Sequence, residues 1–430
     1  MTRKRPHSLT MMLALIATAA VHATEPEWED DWSDDWGEES TSPWQPLSGF
    51  IEAGTGRRLQ TDEAGLGSST LSQLIARLES GYQGQQWQAT MRLDAGYDDV
   101  VDGWLVDVRD LSVSTSVGEH TQLKMGRQVL TWGTGDYLFL NDLFPKDWQA
   151  FFSGQEDQYL KAPVNAIKTS WYGNRFNVDL VYMPRFEADN SINGERFSYF
   201  DPISGGKVAP GHSPNEPSDD AAAARVFWST GQTEYALYGY WGHSGQPKAI
   251  DFDSGFPAPQ YARLNAYGAS LRTTLAGGLF NAETAYHQSL ESTSSTQIAP
   301  PDQVLLLLGY ESELITNLTG SMQYYLEHTR QYGDYLSTQP DPSKATDQNR
   351  HLLTLRLGYR AWQDKLQLNL FTFYSPSDRD FYLKPQASYR VDDRWLLSAG
   401  LNLMNGRDNH TFFGQLDDNS NAWLRLRYHY

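Results

Sequence analysis

The sequence predicts an all-β fold, a transmembrane antiparallel up-and-down β-barrel of about 18 strands, and three observations support this prediction. From residue 49 onward, apolar and polar residues alternate with a period of two, which is typical of strands with one apolar face. The segments between these strands alternate between short turns and long polar loops, as in membrane barrels. The chain also ends on an aromatic residue, Tyr430, within such a strand.

Composition narrows the alternatives. The chain has 430 residues, no cysteine and a net charge of −19. The absence of cysteine excludes disulfide scaffolds, thiol catalysis and cysteine-based metal sites. The negative charge argues against nucleic acid as a partner, because phosphate binding needs a basic surface. With 14 Trp, 24 Tyr and 18 Phe, the chain is too aromatic to be disordered, so most of it folds.

Residues 1–23 are predicted to be a secretory signal peptide. Arg3, Lys4 and Arg5 form a positive start, and an apolar stretch covers residues 9–21. Small residues then place the cleavage after Ala23. No later segment offers ~20 consecutive apolar residues, so we expect an exported protein without a membrane helix.

An acidic, tryptophan-rich tract follows at residues 24–48. Its segment 25–39 carries nine carboxylates and no positive charge, so it should be disordered alone. Trp28, Trp32 and Trp36 nevertheless recur every four residues, a spacing that lines one face of a helix. Two interpretations stay open: a solvated tail, or a segment that folds on a basic partner or lies in a basic pore.

Residues 49–430 are predicted to form the barrel. Eight short turns and nine long loops make 17 connections and hence 18 strands, with both barrel ends at the short-turn rim. A miscount by one hairpin would give 16 strands. In the last strand, Leu424 and Leu426 share one face, and Arg425 and Arg427 share the other. A soluble propeller or sandwich would need neither the alternating loop lengths nor the Tyr and Trp that flank many strands.

Charged strand residues should face the lumen, because a charge facing lipid costs ~2–4 kcal/mol at the bilayer midplane. This assigns two neighbouring walls of opposite sign. The predicted basic wall consists of Arg356, Arg360, Lys365, Lys384, Arg390, Arg425 and Arg427. The predicted acidic wall consists of Glu283, Glu311, Glu313 and Glu327. Two interpretations stay open: a wet pore whose transverse field orients polar solutes, or a plugged lumen whose charges only pair with one another.

The long loop at residues 133–163 is too apolar to extend into water. We expect it to pack inside the barrel mouth as a constriction, because an 18-stranded barrel is otherwise wide enough for an aqueous channel. Its candidate constriction residues are Tyr137, Phe139, Phe144, Trp148, Phe151 and Phe152. The loop at residues 186–220 is more polar and rich in Pro and Gly, as an outer loop would be.

One position breaks the alternation. Strict period two places Arg127 with Leu123 and Met125 on the lipid face. We expect a bulge at Gly126 that turns Arg127 inward, toward Asp110 on the preceding strand. The alternative is that the Arg127 side chain reaches along the wall to the membrane surface.

Enzyme motifs are not found in the sequence. No nucleophile elbow surrounds a serine, and no glycine motif that could hold phosphate lies between a strand and a helix. We therefore predict no enzyme, no catalytic residues, no cofactor and no metal site. A barrel enzyme that modifies lipid is the competing hypothesis, and it would need a Ser or His essential for turnover.

The segment GRQVLTWGTGDYLFLNDLFPKDW resembles a group of porin-like outer-membrane proteins related to the alginate-export channels. The resembling residues end one strand and open the long loop: Gly126, Arg127, Gln128, Trp132, Gly133 and Asp136. The terminal strand with Tyr430 resembles the signal that the outer-membrane barrel assembly machinery reads. The resemblance implies an outer-membrane barrel, and alginate exporters resemble an arginine-lined conduit for an acidic polymer. Here the predicted lumen is mixed in sign.

Together these features predict a monomer in the outer membrane of a Gram-negative bacterium, acting as a passive channel for polar or charged solutes. Its partners would be membrane lipid and lipopolysaccharide, and the assembly machinery during biogenesis. The alternative is a non-enzymatic barrel in a multi-protein export or electron-transfer complex, which docks a periplasmic partner through residues 24–48.

Overall fold

The computed structural model describes residues 42–202, 204–209, 214, 216–252, 257–294, 297–339 and 341–430. The predicted signal peptide and residues 24–41 of the acidic tract lie outside the described residues. Eighteen strands form one antiparallel sheet that closes on itself, which confirms the predicted fold class.

The strands follow one another as hairpins along the chain. The first seven are β1 (Ser48–Arg58), β2 (Ser69–Gln83), β3 (Trp87–Asp98), β4 (Gly103–Val117), β5 (Thr121–Val129), β6 (Pro163–Tyr172) and β7 (Asn177–Met183). A small hairpin in the next loop consists of β8 (Tyr199–Asp201) and β9 (Gly206–Val208). The wall continues with β10 (Ala221–Thr230) and β11 (Thr233–His243), and the loop after it holds β12 (Ala249–Asp251) and β13 (Ala258–Gln260).

The second half repeats this pattern. Strands β14 (Arg263–Leu275) and β15 (Gly278–Ser289) precede the short loop strand β16 (Gln297–Ile298), which pairs with β12. The wall is completed by β17 (Gln303–Ile315), β18 (Leu318–Thr329), β19 (Asn349–Ala361), β20 (Leu366–Ser375), β21 (Asp380–Arg390), β22 (Trp395–Gly406) and β23 (Asn421–His429).

Helical structure is confined to the loops. The α-helices are α1 (Trp148–Ser153) and α2 (Tyr332–Thr338), and 3₁₀ turns cover Asp157–Leu160, Pro342–Lys344 and Gly414–Asn419. Within the described ranges, no helix is long and apolar enough to cross a membrane.

The ring closes between the first and last strands. Phe50 of β1 pairs with His429 of β23, and the register runs without interruption to Arg58 opposite Asn421. Gly49 and Tyr430 exchange two backbone hydrogen bonds of 3.2 and 3.1 Å. Both barrel ends therefore lie at the rim that carries the eight short turns, and the other nine connections, most of them longer, lie at the opposite rim.

Side chains alternate between lumen and exterior as the sequence pattern predicts. In β23, Trp423, Arg425 and Arg427 are buried in the lumen, whereas Leu424 and Leu426 are 45% and 42% exposed on the outside. A strand with one polar and one apolar face fits a wall that separates a lumen from lipid.

Arg127 does not turn inward, which corrects the expectation of a bulge at Gly126. The pairing of β5 with β4 and with β6 is continuous through Gly126, and the nearby register shift lies instead between β3 and β4. Arg127 therefore shares the outer face with its partners Leu111 and Asn165.

The partner of Arg127 also differs from the expected one. Its guanidinium donates to Glu187 of the following loop, 2.8 Å away. Asp110 pairs instead with Lys124, at 3.2 Å. Arg127 thus reaches a carboxylate at the loop rim, where it stays out of the lipid, in line with the alternative.

Gly126 offers a test of how closely β4 and β5 pack in the barrel wall. Its φ is +124°, and a Cβ there would lie 2.2 Å from the Leu111 carbonyl oxygen. We expect Gly126→Ala to destabilise the barrel by at least about 2 kcal/mol, because it adds backbone strain and a clash that β4 must relieve. Gly67→Ala is the control, since a Cβ there meets nothing within 4 Å. The measurement is urea unfolding of folded protein in detergent, and equal stability of both variants would contradict the prediction.

Candidate functional site

The loop between β5 and β6 (residues 130–162, here the lumen loop) folds into the barrel. Phe151 and Phe152 are each 2% exposed and pack against inward residues of the wall, among them Phe371 and Tyr382. Tyr137, Phe139 and Trp148 pack at the edge of the same cluster. An apolar core therefore lies inside the lumen, between the lumen loop and the strands β15 to β22.

The start of the lumen loop packs against the opposite wall. Trp132 and Phe144 join a second apolar cluster with inward residues of β6, β7, β10, β11 and β14. Their rings meet edge to face, with centroids 5.0 Å apart. The loop thus contacts both sides of the barrel, and the six predicted aromatic residues divide between its two contact regions.

Helix α1 is fixed to the wall at its C-terminal end. The Phe152 carbonyl accepts hydrogen bonds from the amides of Asn402 and Asn421, at 2.9 and 3.0 Å. Gly154 ends the helix with φ +89°, and a Cβ there would overlap the Trp423 ring. Only glycine combines this backbone conformation with such a close approach to an indole.

Glu283, predicted as part of an acidic pore wall, holds the outgoing arm of the lumen loop. Its carboxylate accepts the backbone N–H of Thr134 at 2.7 Å and that of Asn141 at 3.1 Å. It also accepts the Thr134 hydroxyl and the Asn141 amide. Because Glu283 is 2% exposed, it serves the loop rather than a passing solute.

Buried arginines hold the returning arm. Arg77 donates to Gln158 and Tyr159, each at 3.0 Å. Arg109 donates to the carbonyls of Gln158 and Lys161, at 3.0 and 2.8 Å. Asp94 accepts two hydrogen bonds from Arg77, which keeps that guanidinium compensated while it bonds the loop.

Arg427 holds the same arm through Glu156, at 2.6 Å. Burial alone would raise the pKa of the Glu156 carboxyl, but Arg427 outweighs it and lowers that pKa to about 2. The carboxylate therefore stays ionised, and this contact persists at every physiological pH.

Several charges of the predicted walls pair with each other, with the lumen loop or with Glu52 of β1. Arg356 contacts Asp136 of the loop at 3.2 Å and also pairs with Glu311. Arg425 and Arg427 share Glu52, at 3.3 and 2.8 Å.

The remaining residues of the predicted basic and acidic walls differ in their contacts. Lys384 is buried and pairs with Asp157 of the loop. Glu327 accepts hydrogen bonds from Gln303 and Tyr325, at 2.6 and 3.1 Å. The other residues of the two walls line the space on the turn side of the loop: Arg360, Lys365, Arg390 and Glu313.

Two polar cavities lie on that side of the lumen loop. One of ≈460 Å³ has Glu156, Asp157 and Gln158 of the loop on one side and Ser388, Ser398 and the basic wall on the other. The second, ≈450 Å³, is lined by residues of β17 to β20, with Arg356 and Glu311 among them. Gln367 and Asn369 line both cavities, so the two lie side by side beneath the loop and are together called the chamber here. Turn residues such as Lys365 and Asn317 also line the chamber.

The segment that carries the family resemblance forms the root of the lumen loop. Gln128 is 1% exposed and donates to the Ala166 carbonyl at 3.1 Å. Gly133 has φ +83° and lies against the Glu283 carboxylate. Together with Trp132 and Asp136, these residues direct the chain from the wall into the lumen.

A second loop enters the barrel, which the sequence did not indicate. In the connection between β7 and β10, Phe197 is 1% exposed and belongs to the lumen core. Arg196 donates to the Thr70 carbonyl at 2.7 Å and pairs with Asp98. The polar, proline-rich composition of this loop predicted an outer segment. Arg196 and Phe197 alone are too short a pattern to indicate that the loop enters the lumen.

The exterior of the barrel is apolar and bordered by aromatic rings. Large side chains such as Val106 (74% exposed) and Leu111 (57% exposed) face outward. Tyr82 stacks on Trp87 and Trp395 packs on Tyr428 at the turn rim, while Tyr97 packs on Trp104 at the loop rim. An apolar band between two aromatic girdles matches a bilayer and its two interfaces.

The fold is similar to that of solved outer-membrane barrels. OccAB4 of Acinetobacter baumannii matches with a TM-score of 0.54 and 9% identity over 91% of this chain and 99% of its own. OccAB1 of the same organism matches with a TM-score of 0.53 and 9% identity over 91% of this chain and 97% of its own. The outer membrane protein opdK of Pseudomonas aeruginosa matches with a TM-score of 0.51 and 10% identity over 89% of this chain and 98% of its own.

The chain has the fold of a porin-like outer-membrane barrel. The sequence matches none of the protein-family models and none of the curated proteins with which it was compared. At 9–10% identity, the structural likenesses show the fold alone. The porin-like barrel, its apolar belt and its girdles locate it in a Gram-negative outer membrane, as predicted.

Glu283 offers a test of how the lumen loop is held. We expect Glu283→Gln to speed hydrogen exchange of the Thr134 and Asn141 amides by about tenfold or more, because a charge-assisted hydrogen bond contributes about 1.5–3 kcal/mol. The measurement is amide exchange of loop peptides by mass spectrometry. Glu313→Gln is the control, since Glu313 contacts the Asn317 turn and not the loop. Unchanged exchange in Glu283→Gln would show that the aromatic core alone fixes the loop.

Proposed function

We propose that this protein is a channel through which small polar or charged solutes cross the outer membrane passively, narrowed by the lumen loop. The observation that supports this most directly is the chamber beneath the loop. Its walls carry amides, hydroxyls and charges, which is the lining that a hydrated solute needs and an apolar ligand does not.

The contacts of the lumen loop support its role as a fixed constriction. The loop is bound by Glu283 at one arm, by three buried arginines at the other, and by aromatic packing between them. A segment anchored at this many points keeps one position. The width of the passage is therefore determined by the side chains around the loop and not by movement of the loop. The resemblance to alginate-export channels stays a prediction, and paired charges of both signs do not favour an acidic polymer.

A cysteine placed in the chamber tests the channel. The chain has no cysteine, so each variant carries a single thiol. Ser388 of β21 lines the chamber, whereas its neighbour Ala387 faces outward. We expect single-channel current through Ser388→Cys to fall when a bulky, water-soluble methanethiosulfonate reagent is added, and current through Ala387→Cys to stay unchanged. A barrel that gives no current, even without residues 134–162, would contradict the proposal.

A second candidate function concerns the acidic tract. Residues 43–45 bond to Gly81 and Gln83 of β2 at the turn rim, so the tract joins the barrel on the periplasmic side. There it would dock a periplasmic partner of an export or electron-transfer complex. We expect deletion of residues 24–41 to abolish complex formation, measured by co-purification, and to leave barrel insertion and conductance unchanged. Unchanged co-purification would remove this candidate.

A further inference from the structure

The charges of this barrel are distributed unevenly along its axis. In the sequence, the eight connections at the loop rim other than the lumen loop contain 22 Asp and Glu but only 8 Lys and Arg. The eight turns at the opposite rim contain 4 acidic and 3 basic residues, and the 18 barrel strands together with the lumen loop contain 18 acidic and 20 basic residues. The negative charge of the barrel therefore belongs to the outer mouth.

The lumen does not add an opposite field of similar strength, because the barrel strands and the lumen loop together carry almost equal numbers of acidic and basic residues, and many of these lie in close pairs. Arg77 pairs with Asp94, Lys124 with Asp110, and Arg225 with Asp179. The lumen loop adds Asp136, Asp157 and Glu156 to the basic residues of the wall. Close pairs of opposite sign cancel at a distance. Among the described residues, Arg360 and Lys365 form no ion pair, so a small excess of basic charge remains on the turn side of the lumen loop.

The outer mouth carries charge without such compensation. Among the described residues, exposed loop carboxylates without an ion pair to Lys or Arg include Glu63, Asp99, Asp102, Glu216, Asp334, Asp347 and Asp408. Fixed carboxylates around an entrance raise the local concentration of cations and lower that of anions within about a Debye length.

We infer that the outer mouth makes this channel prefer cationic over anionic solutes. The inference rests on the proposed channel function and names the class of solute that the channel admits most readily. The selectivity is determined where solutes enter, whereas the compensated lumen lets both signs pass. It departs from the basic wall that the strand pattern alone suggested, since four of the seven residues of that wall pair with Glu52 or with the lumen loop: Arg356, Lys384, Arg425 and Arg427.

The test is the reversal potential of single channels in a KCl gradient. We expect a potential of the sign that potassium selectivity gives at about 0.1 M salt, where the Debye length is about 10 Å. The preference should nearly vanish at about 1 M, where that length is about 3 Å. A zero potential or one of the chloride sign at low salt would overturn the inference and leave the channel intact. Absence of current would instead contradict the proposed function itself.

Matched variants locate the selectivity. Glu63→Gln with Asp408→Asn removes two exposed carboxylates at the loop rim, and Glu119→Gln with Asp393→Asn removes two exposed carboxylates at the turn rim. We expect the outer pair to lower the ratio of potassium to chloride permeability and the inner pair to leave it unchanged. Amides at all seven outer positions should lower the ratio by about half or more. An equal effect of both pairs would overturn the assignment to the outer mouth.

Discussion

The closure of the sheet is the constraint on which the rest of this structure depends. In a bilayer an unpaired backbone N–H or C=O has no water to bond, so a sheet can cross the membrane only as a ring without edges. The continuous pairing of β1 with β23 completes that ring. Pro385 interrupts the hydrogen bonding of this ring, because proline has no backbone N–H to donate to a neighbouring strand. The register of β21 with β22 is nevertheless the same before and after Pro385. Once the ring is closed, every second side chain must face an enclosed lumen.

A ring of 18 strands encloses more space than its own side chains fill, so the lumen must be wet or occupied. Here it is partly occupied by an apolar core that the barrel builds with its longest inward loops. Leu305 and Leu307 of β17 are buried on the lumen side, where alternation alone would place polar residues. They belong to the same buried cluster as Phe151 and Phe152 of the lumen loop. Hydrophobic burial thus stabilises the loop inside the barrel as it stabilises the core of a soluble domain.

The sequence contained enough to predict the strands, the even strand number, both rims and the entry of one loop, because each depends on local period and composition. The contacts of that loop were not predictable from alternation, since they join residues far apart in the chain, such as Glu283 and Thr134. One pattern in the sequence does indicate an apolar core inside the lumen. The run Val304–Leu308 is apolar on both faces, which is typical of a strand covered on both sides. The period of two placed Arg127 correctly on the outer face, and the expected inward bulge was wrong because the guanidinium finds its carboxylate, Glu187, on a loop.

The same constraint explains where this barrel can carry net charge. A charge on the outer face is costly in lipid, and a charge in a crowded lumen is costly unless a counter-charge lies beside it. The lumen therefore accumulates pairs of opposite charge, and those that include the lumen loop, such as Arg356 with Asp136, fix the loop while they cancel the field. Only the loops beyond the membrane can hold many carboxylates of one sign, because water and salt screen their repulsion. In the channel that we propose, selection between ions is therefore left to the mouth.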